Sequence, residues 1–143
     1  MIALLILILL PLYHFNELSV EIPRHFDHKE YPTAFSDKNM IWMFPAIGVL
    51  LYVALAWLTR SPHLYNYPKP ITADNAEKQY RVATKLIRII NTVLVSLFAY
   101  IQFVIIQTAM GETSGLGAWF LPVFLLLVFA PIAWFMFKSV RSQ

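Results

Sequence analysis

The chain has no cysteine and only four glycines in 143 residues. Without thiols there can be no disulfide, thiolate nucleophile, iron–sulfur cluster or cysteine-held zinc. Four glycines supply no Gly-rich loop for a phosphate, and neither a P-loop nor a dinucleotide fingerprint occurs. No Ser-His-Asp set stands at a recognisable spacing. Charge is scarce as well, at 13% of residues where a soluble domain carries about 25%. What fills the chain is apolar: 59% of residues are hydrophobic and the mean hydropathy is +0.61. A soluble domain of this length could not hide so much apolar surface. The composition implies an integral membrane protein, and the apolar stretches and loop charges that follow make it all-α, a four-helix bundle forming one transmembrane domain over residues 1–143.

A hydrocarbon core of about 30 Å takes about 20 apolar helical residues to cross. Ile41 to Thr59 (19 residues), Ile89 to Gly111 (23) and Leu116 to Phe137 (22) meet that length without a charge. Ile2 to Phe15 is shorter at 14 residues and contains Pro11. It lacks the basic start and small-residue cleavage site of a signal peptide, so a retained first span is expected. Pro122 and Pro131 are expected to bend the fourth span, whereas Pro45 falls in the first turn of the second, where proline is tolerated.

The loops orient these spans. Residues 16–40 hold three basic and five acidic side chains, and residues 60–88 hold six basic and two acidic. Lys138 and Arg141 follow the last span. The positive-inside rule then places the 60–88 loop and both termini in the cytoplasm, with 16–40 outside. The net charge of +3 and pI near 9.3 are explained by this placement, and no nucleic-acid partner is expected. Trp42 and Trp57 flank the second span and Trp119 and Trp134 the fourth. Each pair is 15 residues apart, about 22 Å along a helix, which suits two interfacial belts.

The third span carries the polar chemistry. At 100° per residue, Asn91, Thr92, Ser96, Ala99, Tyr100, Gln102 and Gln107 share one half of the wheel. A polar, small-residue half packs inward or against a partner helix, with amides and hydroxyls bonding across helices. Upstream, Thr72 is a candidate N-cap, and Asp74, Glu77, Lys78, Arg81, Lys85 and Arg88 form one stripe opposite Ala76, Tyr80, Ala83 and Ile87. The spacing predicts an amphipathic cytoplasmic helix running unbroken into the third span, from about Ala73 to Met110. Lys78, Arg81, Lys85 and Arg88 are its candidate contacts with anionic headgroups or a partner.

Glu21, His25, Asp27, His28 and Glu30 make the one metal-like constellation. His25 and His28 would share a face if the segment were helical, and zinc takes three or four such ligands. Flanked by Pro23 and Pro32 and lacking an HExxH motif, the segment reads as a solvated loop, with His25 and His28 only weak metal candidates. No cofactor is expected.

Leu10-Pro11, Ile22-Pro23-Arg24-His25-Phe26-Asp27, Ser36-Asp37-Lys38 and Pro45 appear in an order that resembles a bacterial multi-pass membrane family of unknown function. Ser61-Pro62-His63-Leu64-Tyr65-Asn66-Tyr67-Pro68, Ile71-Thr72 and Asn75-Ala76-Glu77-Lys78-Gln79-Tyr80 are also similar to it. The likeness covers roughly Leu10 to Gln107. That family shares its N-terminal module with the immunity protein of a sporulation-linked toxin system, so the resemblance implies a membrane-embedded protector against a peptide toxin. The expectation is a non-enzymatic protein of the bacterial inner membrane, either an accessory subunit of a membrane complex or an immunity-like protector. A small oligomeric transporter or channel is the alternative, and a metal-dependent membrane enzyme using the outer loop is the second.

Overall fold

A computed structural model describes residues 1–27 and 31–141 of the chain. It is 67% helical. In chain order the elements are α1 (Ile2–His14), β1 (Glu21–Phe26), β2 (Pro32–Asp37), a 3-10 turn (Lys38–Trp42), α2 (Met43–Leu58), a second 3-10 turn (Pro62–Leu64), α3 (Ala76–Ala109) and α4 (Phe120–Arg141). Three of the helical stretches are long and apolar enough to cross a membrane: Lys38–Leu58, Ala76–Ala109 and Phe120–Ser139. Ile2–His14 is the shorter apolar helix, about 20 Å long.

The helix α3 is the axis, with α1 and α2 packed on one side and α4 on the other. Leu7 of α1 sits with Val95 and Ala99, and Leu10 with Ile101 and Ile105, so α1 runs parallel to α3. Phe44 and Tyr52 meet the same clusters in reverse order, which makes α2 antiparallel. Gly48 lets α1 and α2 approach closely, since a Cβ there would overlap Leu7 Cδ2. On the far side, α4 runs antiparallel to α3. Phe120 stacks on Tyr100 at 5.7 Å, and Phe135 joins Val82 and Ala83 at the other end. Three helices thus form a packed unit, and the fourth packs mainly against α3, with Phe135 also sharing a cluster with Tyr65 and Tyr67.

The structure also departs from an all-α chain. Residues 16–40, read as a plain loop, contain an antiparallel hairpin with Ile22 opposite Ser36 and Glu21 opposite Asp37. Burial along β2 alternates, with Pro32, Ala34 and Ser36 half-covered and Thr33, Phe35 and Asp37 exposed. Leu18 and Ile22 are buried against Ile41, Ile105 and Ile106. The hairpin is anchored by these few apolar residues at the end of α3. The register shifts around His25, and His28-Lys29-Glu30 carries no Asn-Gly or Asp-Gly turn, so the usual hairpin signal is missing.

The helix boundaries have local causes. Thr72 does not cap α3, which begins three residues later than expected. Asn75 Oδ1 accepts from the Thr72 amide (3.0 Å) and Asn75 Nδ2 donates to the Pro70 carbonyl (3.2 Å), holding a turn before Ala76. At its other end, Gly111 (φ 80°) closes α3 in a Schellman motif: the Glu112 amide donates to the Gln107 carbonyl and the Gly111 amide to that of Thr108. Gly117, at φ 88°, postpones α4 from Leu116 to Phe120. Pro122 therefore lies in the first turn of α4, and Pro131 is the proline inside the helix.

Candidate interaction site

The polar half of α3 is divided between two environments. Asn91, Val95, Ala99, Gln102 and Ile106, spaced four, four, three and four apart, are buried. This is the ridge that packs on α1 and α2. Asn91 Nδ2 donates to the Tyr52 carbonyl of α2 at 3.1 Å, while its Oδ1 has no partner among the described residues. Gln102 is 0% exposed, and neither its Nε2 nor its Oε1 has a partner among them. An unpaired amide in a dry interior is costly, so Gln102 is an unsatisfied element of this packing.

Thr92, Ser96 and Tyr100 form the adjoining ridge and are exposed. They face the gap between α3 and α4, a cleft of about 540 Å³ bordered by Val93, Leu97, Trp119, Phe120, Val123 and Leu127. Thr92 Oγ1 donates to the Arg88 carbonyl (3.0 Å), and Tyr100 Oη donates to the Leu116 carbonyl (2.9 Å). The Thr92 and Tyr100 hydroxyls, expected to bond across helices, are therefore spent within α3 or on the loop leading to α4. Gln107 is half-buried near the end of α3, where its carbonyl takes part in the Schellman closure.

Of the basic stripe, Arg81 pairs with Glu77 one turn earlier, and Lys78 is exposed. Lys85 Nζ lies 5.5 Å from the centre of the Trp134 ring on α4, and Lys138 Nζ lies 5.1 Å from the same ring. Cation–π contacts of this kind contribute about 0.5–1 kcal/mol at exposed sites. Arg88 and Lys85 together border a shallow hollow that shares Thr92 and Val93 with the cleft.

One polar contact escaped the sequence reading. Gln79 and Ser139, both 0% exposed, grip each other through two bonds. Gln79 Nε2 donates to the Ser139 carbonyl (3.0 Å), and Ser139 Oγ donates to Gln79 Oε1 (2.6 Å). The available signal was position: Gln79 stands three and four residues before Val82 and Ala83, on the apolar face. Beside this clamp, Tyr65 and Tyr67 fold the connecting segment back. Tyr65 Oη donates to the Leu58 carbonyl and Tyr67 Oη to that of Pro62, both at 2.8 Å. Tyr67 lies 6.2 Å from Tyr65 and 5.7 Å from Tyr80 between ring centres. Burial raises the pKa of both phenols, that of Tyr67 to about 12, with the neighbouring tyrosines adding to the rise for Tyr67.

His25 lies exposed on strand β1, so the helical spacing that would align it with a residue three along does not apply to it. His28 and Glu30 lie outside the described residues. Among those described, no three His, Asp or Glu side chains come together as a metal site.

Fold and site thus describe a mainly helical protein of membrane character, with a cleft between its central helix and α4. No family model matches the chain, and no curated protein or solved structure matches it.

Proposed function

We propose that this chain is a non-enzymatic accessory subunit of the bacterial inner membrane, acting by binding other membrane proteins. It would cross four times with both termini in the cytoplasm, α1 being the short crossing sheltered by α3. The observation that carries this reading is the state of α4. Only 6% of its most apolar stretch is buried, against 44% in α3. It is attached near its ends, by the Tyr100–Phe120 stack and the Gln79–Ser139 clamp. Its far face, with Leu126, Phe129, Ala130 and Ala133, is bare. Small residues between larger ones let a second backbone come close, and close packing drives helix association in lipid.

Affinity purification from native membranes in mild detergent, followed by a native gel and mass spectrometry, tests this. The expected result is a stoichiometric membrane partner that is lost in an A130W/A133W variant. A chain that migrates alone overturns the reading, as does a partner retained by the variant. A homo-oligomer also overturns it and favours the transport alternative.

The immunity-like variant of this reading has its own support. Ile22 and Ser36, which belong to the two outer-loop motifs carrying the family resemblance, are partners across the hairpin. A peptide toxin arriving from outside would meet that hairpin first. Toxin challenge of cells with and without the protein checks this, and equal survival removes it.

A further inference from the structure

We infer that the α3–α4 cleft is a binding site for one phospholipid with an anionic headgroup, its phosphate on Lys85 and Arg88 and an acyl chain along Thr92, Ser96 and Tyr100. Two hollows carry the argument. The first is the cleft of about 540 Å³, walled by Leu97, Phe120, Val123 and Leu127 and open at its side. The second, of about 300 Å³, is bordered by Lys85, Arg88 and Ile89. Thr92 and Val93 line both, so a cationic mouth leads directly into an apolar trough.

Charge and length both fit such a ligand. Among the described residues neither Lys85 nor Arg88 forms an ion pair, and the nearest acid upstream on α3, Glu77, is held by Arg81. Arg88 to Tyr100 is twelve residues, about 18 Å of helix. One leaflet of a hydrocarbon core is about 15 Å deep, so a chain anchored at Arg88 ends near the Tyr100–Phe120 stack that closes the trough. The hydroxyls of Thr92 and Tyr100 are turned to backbone carbonyls, which, Ser96 apart, leaves a wall suited to methylene groups. Lys85 Nζ also lies 5.5 Å from the centre of the Trp134 ring, which sets the α3 mouth beside α4. The site lies across α3 from the packed unit and away from the bare face of α4. It therefore stands whether or not a partner subunit binds there.

Native mass spectrometry of the purified, delipidated chain tests it, with phosphatidylglycerol and phosphatidylcholine of equal acyl length as probes. The expected result is one retained phosphatidylglycerol per chain, favoured about tenfold, on the scale of basic residues near anionic headgroups. K85Q/R88Q should erase the preference. R60Q/K69Q, which removes the same charge from the connecting segment, should keep it. S96F should weaken both lipids by filling the trough. Equal binding of the two lipids by the unaltered chain overturns the proposal. So does an equal loss in R60Q/K69Q, which would mean diffuse attraction to a basic surface. Displacement of phosphatidylglycerol by inorganic phosphate at similar concentrations also overturns it, because the acyl chain would then contribute nothing.

Discussion

The two sides of α3 are built on opposite principles. Toward α1 and α2 it presents a continuous ridge, Asn91 to Ile106, in which small and apolar side chains interlock and one amide, Gln102, is enclosed without a partner among the described residues. Toward α4 it is joined near its two ends, by Tyr100–Phe120 at one and by Gln79–Ser139, Phe135 and Lys85–Trp134 at the other, with the cleft between. There the enclosed amide, Gln79, has its bonds made by Ser139. The first side gains its cohesion mainly from shape, with Asn91 bonded to the Tyr52 carbonyl and Gln102 a burden. The second gains it from a few specific contacts, and a polar group is what holds it. Burial alone does not distinguish Gln79 from Gln102, since both are 0% exposed; the partner does.

Substitutions can break this contrast in order of expected size. The largest effect should come from Gly48→Ala, whose Cβ would collide with the end of the Leu7 side chain, which is fully enclosed and would have to shift. Overpacking costs about 1–3 kcal/mol, and the companion change Leu7→Ala should recover part of it, a coupling read from thermal unfolding of single and double variants in detergent. Next, Gln79→Leu should destabilise by about 1–3 kcal/mol, because it strands the buried Ser139 hydroxyl and carbonyl. Gln79→Leu with Ser139→Ala should cost less than the sum of the two single changes. A smaller effect is tied to pH. Burial keeps the Tyr67 phenol protonated to about 12 against an ordinary 10.0. The unfolded chain therefore releases that proton first. The stability contributed is whole below pH 10 and falls as pH rises to about 12. Tyrosinate absorbance alongside melting temperature follows it, and Tyr67→Phe should remove that component of the fall. The smallest change is expected from Gln102→Leu, which should be neutral or stabilising because it removes an unmet desolvation cost. A marked loss there would mean that Gln102 has found a partner and that the contrast between the two sides is wrong.

Much of this architecture was legible in the residues. Lengths of charge-free sequence located the three long helices, and the unbroken pattern from about Ala73 to Met110 anticipated one continuous α3, which starts at Ala76. The hairpin was not legible, because Ile22 and its neighbours become a strand only when the end of α3 is there to cover them. Helical spacing put Asn91, Ser96 and Gln102 in one half of a wheel, but a wheel does not say which neighbour covers which part. The side facing α1 and α2 took Asn91, bonded to Tyr52 of α2, and Gln102, while the stand-off of α4 left Ser96 exposed. The Gln79–Ser139 clamp joins residues sixty positions apart, and nothing local to either announces the other.

The continuity of α3 has a mechanical consequence. Its 34 residues make a rod of about 51 Å, some 20 Å more than the hydrocarbon it would cross. A rigid rod held in a fluid sheet is a lever. Ile105 and Ile106 lie under the hairpin, and Gln79, Val82 and Ala83 lie under the tyrosine-bearing segment and the end of α4. A push on the hairpin that tilts the rod by a few degrees is returned at the opposite end as a sideways shift, without any bond inside the helix changing.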